Sequence, residues 1–114
     1  MTYQFDVELA KEYGVENAVM LQNIHFWCRK NAANKRNYFE GYFWTYNSQE
    51  AFAKLFDFWS RKQVMRVLKN CQKLGALKVS NFNEKSNNRT HWYAVTESVE
   101  YFLGPVSTHC PEWD

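Results

Sequence analysis

At 114 residues the chain is long enough for one domain whose core needs no covalent staples, and nine Phe, seven Tyr and five Trp are available to fill it. The formal net charge is only +2, so any electrostatic role depends on how the charges are placed rather than on their total. Cys28, Cys71 and Cys110 are isolated and odd in number, which argues against a disulfide framework. With no apolar run of membrane-spanning length and no basic-plus-apolar leader, the expectation is a cytoplasmic protein with reduced thiols.

Asp6 to Tyr13 reads as a short helix capped by Asp6 and stopped by Gly14, with Leu9 and Tyr13 on its apolar edge. A longer helix follows from Val15 to Lys30 or slightly beyond. Its apolar residues, from Val15 through Ile24 to Cys28, cover most of the helical wheel, so it is expected to be central. Two readings stay open for Val15–Cys28: burial entirely within the chain, or a share in a homodimer interface.

Asn31 to Asn37 is a polar connection. Tyr38 to Tyr46 then carries aromatics on both sides of Glu40-Gly41, the signature of a two-residue hairpin turn. Such a cluster is either sheet and core or a platform on which bases stack. Asn47 and Glu50 have capping-box spacing, and Phe52, Leu55, Phe56 and Trp59 follow the pattern of a buried helix face.

The stretch from Ser60 to Val79 is the most informative. Ser60 with Gln63 again has capping-box spacing, Trp59 and Val64 can staple across the cap, and Gly75 supplies a left-handed stop, which places a helix at 61–74. Val64, Val67, Leu68, Cys71 and Leu74 fall on one side of it. Lys62, Arg66, Lys69 and Lys73 form a stripe on the other, with no Asp or Glu between Asp57 and Glu84. Lys and Arg are good helix formers that often simply face water, but such faces usually mix both signs. A one-sign stripe opposite an apolar face is what insertion into a major groove requires. Asp57, in the corner before this helix, is an ordinary turn residue.

Leu77, Val79 and Phe82 suggest a half-exposed strand, Asn83 to Asn88 a polar tip, and Arg89 to Val95 a returning strand. A strand pair directly after a cationic helix forms a wing. Lys85, Arg89 and His91 are then its candidate nucleic-acid contacts, joined by Lys78 if that side chain faces outward; the plainer reading is a solvated hairpin. Thr96 can cap a short helix through Phe102, ended by Gly104-Pro105. Residues 1–103 are thus expected to form the domain, and 104–114 a tail or the start of a linker.

The fold class expected is mainly α with small β, in winged helix-turn-helix order. FDVELAKEYG at 5–14, the VENAVMLQNIHFW that follows it, YFWTYNSQEAFAKLFDFWSRKQVMRVLKNCQKLGALKV at 42–79 and RTHWYAVT at 89–96 give a more specific likeness. Through Thr96 the chain resembles the winged-helix domain of phage and prophage replication proteins, the replisome organisers and DnaD-like initiators. The resemblance implies DNA binding linked to replication initiation, often as dimers or larger assemblies alongside other replication proteins. In such proteins a second domain that engages the helicase machinery or single-stranded DNA frequently follows.

Catalysis is not expected. His25, His91 and His109 do not combine with cysteines or carboxylates at metal-ligand spacing, and the four glycines are scattered rather than gathered into a phosphate loop. Neither metal nor cofactor is expected. The reading reached is double-stranded DNA binding, with Lys62, Arg66 and Lys69 toward the major groove, Arg61 and Lys73 closer to phosphates, and Lys85 and Arg89 from the wing. The competing readings are a transcriptional repressor and a protein–protein adaptor on the same scaffold.

Overall fold

A computed structural model describes residues 2–80 and 91–107. Among these, five helices and two small antiparallel sheets form a mixed α/β domain. Helix α1 (Val7–Tyr13) and helix α2 (Val15–Ala33) meet at Gly14, whose φ of 93° gives the sharp change of direction. Asp6 Oδ2 accepts from Leu9 N–H at 2.9 Å as the expected cap. Asp6 N–H donates to Gln22 Oε1 at 3.0 Å, pinning the N-terminal segment to α2.

Helix α2 is the centre of the domain. It buries Ala18, Met20, Leu21, Ile24, His25, Cys28 and Ala32 on one side, yet leaves Val15, Phe26 and Trp27 exposed on the other. Burial entirely within the chain is therefore ruled out for this helix. His25 Nε2–H donates to Gly104 O at 2.9 Å and ties α2 to the end of the last helix. Burial lowers the imidazole's pKa from its ordinary value, so the ring is neutral at pH 7. Burial likewise pushes the Cys28 and Cys71 thiols up to about 12, and both stay free and protonated.

Strands β1 (Tyr38–Phe39) and β2 (Tyr42–Phe43) pair antiparallel around Glu40 (φ 54°) and Gly41 (φ 86°), the two positive-φ positions of the expected tight turn. The rest of the aromatic stretch departs from a single ribbon. Thr45–Asn47 leaves the hairpin as β3 and joins a second sheet with β4 (Leu77–Ser80) and β5 (His91–Val95), in the order β3-β5-β4. Thr45 stands opposite Tyr93, and Leu77 opposite Val95. Tyr42 OH donates to Glu97 Oε1 at 2.5 Å, and Lys78 Nζ lies 4.8 Å from the Tyr42 ring centroid. Lys78 is therefore engaged with the hairpin's aromatic face and is not a free cation of the wing.

Helix α3 (Gln49–Leu55) is capped by Ser48, whose Oγ accepts from Ala51 N–H at 3.1 Å. The expected cap, Asn47, is instead the last residue of β3, held opposite His91 by strand pairing. Tyr3 OH donates to Leu55 O, and the Tyr3 ring packs against Phe56.

Helix α4 (Arg61–Lys73) begins as the sequence indicates, with Ser60 Oγ accepting from Gln63 N–H at 3.1 Å. Removing that acceptor in Ser60→Ala is expected to cost about 1 kcal/mol, read as a lower urea midpoint at unchanged m-value. At its other end Ala76 N–H donates to Cys71 O and Gly75 N–H to Gln72 O, with Gly75 at φ 75°. This reciprocal pair turns the chain out of the helix. It also leaves Leu74, expected on the apolar face, 53% exposed.

Helix α5 (Glu97–Leu103) follows β5 directly. Thr96 precedes it but does not cap it with its side chain; its hydroxyl donates to Gly75 O at 2.8 Å, joining the start of α5 to the turn after α4. Val106 N–H donates to Glu100 Oε2 at 2.7 Å, so the chain just beyond α5 folds back on it.

Candidate nucleic-acid interface

The site is built on α4. Val64, Val67, Leu68 and Cys71 are buried against α2, α3 and the three-stranded sheet. Lys62, Arg66, Lys69 and Lys73, at the complementary positions of the 3.6-residue period, are all exposed. The apolar side fixes the helix, and the long cationic side chains are presented outward from a rigid support.

Between α4 and the sheet runs an open groove of about 850 Å³. Lys62, Gln63, Arg66, Lys69 and Gln72 line it from the helix, and Gln49, Val79, His91 and Tyr93 from α3 and the sheet. His91, expected on the wing, thus faces the groove from β5. The amides of Gln49, Gln63, Asn70 and Gln72 also line it and were missed by a search keyed to charge. Each carries both a donor and an acceptor, the equipment for reading a base edge. Their alternation with the cations in the helix sequence was the available signal.

The expected unbroken row of cations is interrupted. Arg66 Nη2 donates to Glu16 Oε2 at 2.9 Å, and Arg61 Nη2 lies 3.9 Å from Glu50 Oε1. Both acids come from other helices, so the absence of Asp and Glu near α4 in sequence did not keep carboxylates away in space. Both pairs are at the surface, where such contacts contribute at most about 1 kcal/mol. A phosphate can therefore compete for either arginine. Lys62, Lys69 and Lys73 make no ion pair with any described residue. Lys85 and Arg89, with Phe82 of the expected strand, lie outside the described residues, as do His109 and Cys110.

Among the described residues, no group of three or more His, Cys, Asp or Glu side chains could hold a metal ion, and no helix is long and apolar enough to cross a membrane. No family model, no curated protein and no solved structure matches the chain.

Proposed function

We propose that this chain is a winged helix-turn-helix protein that binds double-stranded DNA, acting in phage-type replication initiation or its control in the cytoplasm. In this reading α3 and α4 are the helix-turn-helix pair, α4 enters the major groove, and β4 and β5 form the wing. The observation that carries it is the set Lys62, Lys69 and Lys73, exposed and without ion pairs among the described residues, directly opposite the buried face of the same helix. The sheet order β3-β5-β4, with α4 running straight into β4, supports the fold assignment. The amide-lined groove supports base reading beside phosphate contact. The chain binds rather than catalyses.

Fluorescence anisotropy with random duplex DNA at low salt tests the proposal, and binding that weakens steeply with added salt is the expected result. No binding in the high micromolar range would turn the assignment to the adaptor, a reading that the exposed Phe26 and Trp27 on α2 favour. A footprint on native DNA then separates an initiator from a repressor. Glu16→Gln provides a finer check, because it releases Arg66. Duplex affinity is expected to rise a few-fold, and the salt dependence to steepen by up to about one unit of slope.

A further inference from the structure

We infer that two copies of this chain pair through the outer face of α2, antiparallel, about a twofold axis at Asn23. Glu16, Val19, Asn23, Phe26 and Lys30 recur at alternating steps of three and four, the spacing of a helix–helix seam. They lie on the side away from Ala18, Leu21, Ile24 and Cys28. Phe26 is 55% exposed and its neighbour Trp27 36%. Their rings meet edge to face at 5.4 Å, with Lys30 Nζ 5.8 Å and 5.4 Å from the two centroids. The result is an apolar patch with a cation at one end and, three turns back along the helix, an anion at the other.

Charge decides both the occupant and its direction. Glu16 stands seven positions before Asn23, and Lys30 seven after it. A second copy laid antiparallel therefore sets each Glu16 against the other copy's Lys30, and Val19 against the Phe26–Trp27 pair. A parallel copy would oppose Glu16 to Glu16 and Lys30 to Lys30, which is repulsive at both ends. The patch is thus complementary to itself under a twofold rotation, the property an isologous interface demands. Asn23 supplies an independent indication: its side-chain Oδ1 is buried and finds no hydrogen-bond donor among the described residues. At the axis a second Asn23 amide, after rotation about χ2, supplies the missing N–H. A polar pair at a seam position fixes register at some cost in stability. Glu16 also holds Arg66 through Oε2, so this interface borders the cationic helix.

The test is sedimentation equilibrium of the whole chain without DNA, from low to high micromolar, so its outcome is independent of whether the chain binds DNA. The mass is expected to rise toward that of a dimer with concentration. Lys30→Glu and Glu16→Lys, each of which opposes like charges, are expected to weaken association at least about tenfold. The double swap restores it to within a few-fold. Phe26→Asp, at an exposed position whose change leaves the core and the circular dichroism spectrum intact, abolishes it. A monomer at every concentration would overturn the inference, as would a dimer indifferent to the single swaps or one the double swap fails to restore.

Discussion

Replacing Lys69 and Lys73 together by glutamine is expected to shallow the salt dependence of duplex binding by about 1.8 units of slope. Each phosphate contact on B-form DNA contributes roughly 0.9 through released counterions. At ~0.1 M salt that corresponds to a loss of affinity of roughly sixtyfold. Both side chains are exposed and make no ion pair with a described residue, so the fold should change in stability by less than about 0.5 kcal/mol. The loss is therefore assignable to the interface. Arg66→Gln provides the internal contrast. Glu16 already offsets that charge at 2.9 Å, so its removal should cost less affinity than removal of either lysine. Anisotropy titrations over a salt series measure all three variants. An unchanged slope in the double variant would take Lys69 and Lys73 out of the footprint and, with them, most of the case for DNA.

The local devices of this fold were legible in the sequence because each closes within a few residues. Asp6 reaches Leu9, Ser60 reaches Gln63, Glu40-Gly41 turns a two-residue loop, and Gly75 ends α4. The two faces of α4 were legible for the same reason: four buried apolar positions and four exposed cations follow from one helical period. What escaped was whatever depends on a partner far along the chain. Thr45–Asn47 is a strand only because Tyr93, Trp92 and His91 lie beside it. Once Asn47 is held in that ladder, the capping role passes to Ser48. Glu16 lies 50 positions from Arg66, and Thr96 21 positions from the Gly75 carbonyl it reaches. A charge survey within one helix cannot find such contacts, because the docking of α2 against α4 creates them. The candidate site was thus readable as a set of cations, but which of them remain free was decided by packing.

That packing has a testable centre in Phe52. Its ring is buried, lies edge-on to Tyr93 at a centroid distance of 5.1 Å, and stacks near Phe56 at 6.4 Å. It therefore couples α3 to β5, while Val64, Val67 and Leu68 of α4 belong to the same core cluster. Phe52→Ala removes most of the ring's transfer free energy and leaves a cavity that rigid neighbours cannot close, so a loss of about 3–5 kcal/mol is expected. Against a net stability of about 5–15 kcal/mol for a domain of this kind, that is a large fraction. Urea unfolding followed by tryptophan fluorescence should show the midpoint fall sharply. Tyr101→Ala, at a position 84% exposed, should leave it nearly unchanged. The same substitution bears on the proposed function, since the angle at which α4 meets DNA depends on α3 staying docked to the sheet. After correction for the unfolded fraction, Phe52→Ala should still bind duplex more weakly than the parent. A cost below about 1 kcal/mol would mean that the cavity closes or that α3 is not anchored through this ring, and the support proposed for α4 would have to lie elsewhere.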